Sequence, residues 1–263
     1  MDSLPYPSLL YLWDKRTFYI SPLLEPISLS QGAAFFVVCL EGDMKISVSG
    51  EREITCKSVL FPPGATVYAN TGASVIACCM LDPIGLDFAM LSPLMRYNTK
   101  DIAYTIENEA HYIACLQDMH QSQYPSDVAF THLDQLIAPK NRVQNTNYKI
   151  DPRIERVIEM IKMNIDENLT IESIAEHVQL SIPRLVQLFK LQTGIPIRRY
   201  RQWHRLYHTA VLASKTNDII SAALVAGFFD ASHFNHTFKR MLGVKPSLIL
   251  GQPNSIKIIL PYT

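Results

Sequence analysis

The stretch "GFFDASHFNHTFKR", residues 227–240, gathers Asp230, Ser232, His233, His236, Thr237, Lys239 and Arg240 within fourteen positions. Side chains of these types can hold a metal, exchange protons, or hydrogen-bond a nucleic acid. Spacing separates the three. Helical histidine pairs that bind zinc stand four apart and need a third ligand, whereas His233 and His236 are three apart and no third ligand is near. Asp230 stands just before an amphipathic run, where a carboxylate caps a helix and contributes about 1 kcal/mol. Phe228, Phe234 and Phe238 form the apolar stripe of that helix. Its other face then presents groups that donate to base edges and phosphates.

Charge points the same way. The 263 residues carry no formal net charge and are 48% hydrophobic, enough for more than one packed core. Residues 1–147 hold 9 Lys+Arg against 15 Asp+Glu, and residues 148–263 hold 15 against 9. From Arg184 to Arg205 there are six bases and no acid. An acidic module joined to one that meets a polyanion fits this split, and so does a merely solvated basic face.

All five cysteines, Cys39, Cys56, Cys78, Cys79 and Cys115, lie in the first half without metal spacing, and most are read as buried apolar thiols. No run reaches the ~20 apolar residues of a membrane span, and the N-terminus lacks the basic start of a signal peptide. A cytoplasmic protein is expected, with neither metal nor cofactor and no catalytic residues.

The elements that position these groups fall into two sets. Residues 17–81 read as short strands broken by turns; "MKISVSG" alternates, with Met44, Ile46 and Val48 on one face. A small antiparallel barrel or sandwich is expected. After Pro83 the pattern turns helical, and Ile102, Ile106, Ala110, Ile113 and Leu116 make a stripe that either packs on the barrel or forms a dimer seam across 101–120. Residues 138–149 read as a linker. Beyond it come helices, with Thr170, Ser181 and Asp230 as N-caps and Gly194, Gly227 and Gly243 as stops. "IKIIL" near the C-terminus is the one later strand signal.

Two segments share one plan. A short helix (171–178), a turn and a second helix (182–192) are followed, after a long helix (196–214), by the same arrangement at 218–226 and 231–242. A 19-residue connecting helix spans about 28 Å at ~1.5 Å per residue, close to the ~34 Å between successive major grooves.

Residues 150–250 resemble the DNA-binding domain of AraC/XylS-type transcription regulators. The pattern G-F-x-D-x-S-x-F-x-x-x-F-K-x-x-x-G-x-x-P is met at Gly227, Phe228, Asp230, Ser232, Phe234, Phe238, Lys239, Gly243 and Pro246, and Arg205, Leu206 and Ala210 match the connecting helix. The resemblance implies that both second helices enter DNA. It makes Pro183, Arg184, Val186, Gln187 and Lys190 groove-facing in the first, and Ala231, Ser232, Asn235, His236 and Lys239 in the other. Arg198, Arg199 and Arg201 are either a solvated face or phosphate contacts, with Arg240 also expected at the DNA; His204 and His208 are read as exposed polar positions or phosphate neighbours, and Trp203 as a buried anchor. Positions 235–236 are Asn-His where Ser-Arg is frequent in the family.

The implied organisation is a cupin-like sensing or dimerisation domain (1–137), the linker, the DNA-binding domain (150–250) and a tail (251–263). The strand region 17–81 contains no histidine, which argues against a cupin metal site. Phe36, Val38, Met44, Ile46 and Tyr68 are candidate lining for a small apolar effector. Double-stranded DNA is the expected partner, with a homodimer and RNA polymerase as further ones. Two alternatives use cysteine: alkyl transfer in DNA repair, and redox sensing through Cys78 and Cys79.

Overall fold

The computed structural model describes residues 7–30, 32–48, 53–81, 86–99, 101–140, 149–165, 169–242, 246 and 256–261. Strands come first: β1 (Ser8–Leu12), β2 (Arg16–Pro22), β3 (Ile27–Ser30), β4 (Ala34–Cys39), β5 (Met44–Val48), β6 (Ile54–Cys56), β7 (Ser58–Phe61), β8 (Thr66–Asn70) and β9 (Val75–Leu81). Helix α1 (Leu86–Leu91), strands β10 (Met95–Asn98) and β11 (Ala103–Ile106), and helices α2 (Glu109–Ser122) and α3 (Ser126–Ile137) follow.

Two sheets result, in the orders β10-β11-β7-β4-β9-β2-β1-β12 and β3-β8-β5-β6, with β12 (Ile256–Ile259) supplied by the C-terminal tail. The expected barrel is not formed, because neither sheet closes on itself. Both faces of the large sheet are needed for burial. Phe35, Val37 and Cys39 pack with Met44 and Ile46 of the small sheet, while Phe36 and Val38 pack with Tyr112 and Leu116 of the helices. Strands covered on both sides read as continuous apolar runs, as "AFFVVC" does. Arg16, buried on β2, pins the helical layer by pairing with Asp87 of α1 (2.5 Å) and Asp134 of α3 (3.0 Å).

The helical stripe expected from Ile102 is also corrected. Ile106 ends β11, and α2 begins only at Glu109. Thr105 and Asn108 adopt positive φ (61° and 53°), turning the chain between strand and helix, so the four-residue spacing runs across a junction. Ala110 is exposed, and the buried face of α2 is Tyr112, Leu116 and Met119. That face meets the protein's own core, with Tyr112 edge-on to Phe36 at 5.8 Å.

The later helices are α4 (Pro152–Met163), α5 (Ile171–His177), α6 (Ile182–Thr193), α7 (Ile197–Thr216), α8 (Ile219–Val225) and α9 (Ala231–Leu242). Residues 141–148 of the expected linker lie outside the described residues, as do Gly243 and Lys245. The helical half is docked on the sheets at several points. Lys162 of α4 pairs with Asp14 in the β1–β2 turn (3.1 Å). A Cβ on Gly32, just after β3, would lie 2.1 Å from Met241 Cε of α9 and 3.2 Å from Trp203 Cβ of α7. Only a residue without a side chain allows that approach.

The tail completes the contact. β12 runs parallel to β1, with Ser8 opposite Ile256 and Tyr11 opposite Ile259. Ile256, Ile258 and Leu260 pack with Leu10 and Leu12 of β1 and with Tyr207, Ala210 and Val211 of α7. Lys257 Nζ donates to Gln123 Oε1 at 3.2 Å.

Candidate nucleic-acid interface

Each unit starts from a cap. The Thr170 hydroxyl accepts from Ser173 N (3.1 Å), and Asp218 Oδ1 accepts from Ile220 N and Ser221 N (3.1 and 3.0 Å). The turns repeat bond for bond. Leu180 N donates to Ala175 O and Phe228 N to Ala223 O; Gln179 N donates to Glu176 O and Gly227 N to Leu224 O. Each bond of the second turn lies 48 residues beyond its counterpart. Asp230 caps α9 by accepting from His233 N at 2.7 Å. Ser181 occupies the N-cap position of α6, but its hydroxyl makes no capping bond, and Pro183 fills the first turn.

The inward faces are apolar. Leu185, Leu188 and Phe189 of α6 are buried, as are Phe234, Phe238 and Met241 of α9, with Phe228 edge-on to Phe234 at 5.3 Å. Met241 closes the second stripe, and Leu242 is half-buried. On the opposite faces Pro183, Arg184, Val186, Gln187 and Lys190 are exposed, as are Ser232, Asn235, His236, Lys239 and Arg240, while Ala231 is half-buried. Arg184 Nη1 donates to Gln187 Oε1 at 3.0 Å, holding both side chains on one side of α6. Ile182, which the residue pattern alone did not single out, is also exposed. The available signal was its place four residues before Val186, on the same side of the helix.

Three arginines of α7 separate in role. Arg198 is exposed and Arg199 half-buried; with Pro196, Gln202 and Arg240 they line a recess of about 280 Å³. Arg240 Nη2 donates to Gln202 Oε1 (3.0 Å). Burial and the neighbouring Arg240 lower the Arg199 pKa, and a negative group placed there offsets the repulsion between the two guanidiniums. Arg201 instead turns inward, donating to the Leu169 carbonyl at 2.6 Å.

His204 corrects the exposed reading. It is 2% exposed, nearly parallel to Tyr200 (6.4 Å, 17°) and Tyr207 (5.9 Å, 15°), and both ring nitrogens lack hydrogen-bond partners among the described residues. Burial, with Lys162 and His208 nearby, lowers its pKa to about 4 against an opposing pull from Asp14. Trp203 is buried beside it.

The candidate effector residues do not come together. Phe36 and Val38 face the helical layer, Met44 and Ile46 face the other side of the large sheet, and Tyr68 is exposed. Burial also pushes up the thiols of Cys78, to about 12, and Cys79. Such groups are far from the thiolate that alkyl acceptance or redox sensing uses. No helix among the described residues is long and apolar enough to cross a membrane.

Residues 174–251 match the family described as "Helix-turn-helix domain". The relatives make the class narrower. The arabinose operon regulatory protein of Escherichia coli K12 is 30% identical over 131 residues, 48% of this chain and 45% of that one. The transcriptional activator RhaS of Escherichia fergusonii is 27% identical over 148 residues, 54% of this chain and 53% of that one. The chain thus spans about half the length of these curated relatives. Among solved structures, ToxT from Vibrio cholerae O395 superposes with a TM-score of 0.58 at 16% identity, covering 89% of this chain and 95% of that one. The C-terminal half is a helix-turn-helix domain. It is of the AraC/XylS type, on a sheet domain arranged as in ToxT.

Proposed function

We propose that this chain is a sequence-specific DNA-binding transcription regulator in which α6 and α9 enter successive major grooves. The observation that carries this is the repeated unit: two capped turns with the same hydrogen bonds, each followed by a helix buried on one face and exposed on the other. Helix α7, 20 residues long, spans about 30 Å between them, near the ~34 Å duplex repeat. Lys190 and Lys239 supply cations at matching places, and the recess of Arg198, Arg199 and Arg240 supplies a phosphate seat.

The sheet half serves as the regulatory module. A ToxT structure described as bound to an unsaturated fatty acid has the same fold, which supports a small apolar effector here. The RhaS similarity favours activation.

A mobility-shift titration with promoter fragments tests the reading. Affinity should fall steeply with salt, and Lys190→Ala and Lys239→Ala should each reduce the log–log salt slope by about 1. Absence of binding, or binding indifferent to salt, overturns it.

A further inference from the structure

We propose that α6 selects thymine through its methyl group, with Val186 and Ile182 as the contacting side chains. This rests on the DNA-reading assignment and adds a base identity to it.

Ile182 is 38% and Val186 43% exposed, although both are large β-branched residues on a helix with an ample buried face. They stand at i and i+4, so they form one continuous apolar side of α6, which Lys190 extends at a further i+4. Beside them Arg184 donates to Gln187, and the one more exposed large apolar side chain of α6, Leu191, lies in its C-terminal turn, away from the helix start. Neither Ile182 nor Val186 has a side-chain donor or acceptor. In the major groove, the one base feature that complements such a surface is the thymine C5 methyl. The N-terminal part of a recognition helix, where both residues lie, is the part that reaches base edges.

The second unit provides an internal contrast. Helices α6 and α9 begin at Ile182 and Ala231, 49 residues apart, and the same offset carries Val186 onto Asn235 and Lys190 onto Lys239. The lysine is kept while the apolar pair becomes Ala231 and an amide that pairs with adenine. The two units therefore read different chemistry from a common scaffold.

The test selects sites for the full chain from a random duplex pool, then replaces each thymine singly with deoxyuridine, which removes only the methyl. One or two thymines, all in one half-site, should lose about fourfold in affinity on replacement, as expected for one buried methyl. The double change Ile182→Ser and Val186→Ser should abolish that sensitivity and keep the salt slope, and Val186→Asn should shift base preference in that half-site alone. Uniform tolerance of deoxyuridine, or sensitivity that survives the double change, overturns the proposal while leaving DNA binding intact. Failure to select any site overturns the DNA-reading assignment beneath it.

Discussion

The two helix-turn-helix units share a skeleton and differ in how firmly they are held. In the first turn the left-handed position is Gln179 (φ 54°); in the second it is Gly227 (φ 85°). A Cβ on Gly227 would stand 2.9 Å from Ile165 O and 3.1 Å from Arg205 Nε, and Arg205 itself donates to Ile165 O at 3.2 Å. The second turn is thus wedged against the α4–α5 connection and the long helix. Its second helix, α9, also packs on β3, with Met241 against Gly32. At the C-terminal end of helix α6, Gly194 approaches Pro63 of the sheet half.

The largest expected effect tests the helix common to both units. His204 stays neutral in the folded chain down to about pH 4, whereas an unfolded histidine takes up its proton near 6.5. Between these values the unfolded chain binds the extra proton, so stability falls as pH drops through 6.5 and levels off below about 4. His204→Phe keeps the ring between Tyr200 and Tyr207 without the titration. Urea unfolding at pH 4.5 and 7.5 should show the variant gaining about 2.5 kcal/mol over the parent at the lower pH. Equal pH dependence in both proteins would show that α7 is not seated on a neutral His204.

Next, Gly227→Ala should lower the unfolding free energy by about 2 kcal/mol through left-handed strain and contact with Ile165, seen as a lower urea midpoint at unchanged slope. The smallest effect is of opposite sign. Gln179→Gly relieves the left-handed strain of the first turn and should stabilise by about 0.5 kcal/mol. Should the two substitutions act alike, the contrast between a wedged and an open turn fails.

What was legible in the residues was local. Thr170 and Asp230 announce helix starts by their short polar side chains, and Gly194 and Gly227 announce ends, so the double unit and its buried phenylalanines could be read directly. The Ile102–Leu116 stripe misled because helical spacing arose by coincidence across a strand, a turn and a helix. Open sheets were illegible for another reason. Strand pairing joins residues far apart in sequence, and "IKIIL" declares a strand without declaring β1 as its partner. His204 was misread because its surroundings, Lys162 of α4 and Asp14 in the sheet half, lie distant in the chain.

The pairing of β12 with β1 sets an order of events during synthesis. A chain emerging from the ribosome delivers β1 before helices α6 and α9, and β12 only after both of these have been made. Through that interval the edge beside β1 stays uncovered, and Leu10 and Leu12 lack the cover of Ile256, Ile258 and Leu260. This strand of the seam is therefore added after both helices, and a chain interrupted before residue 256 carries α6 and α9 on a sheet that lacks β12.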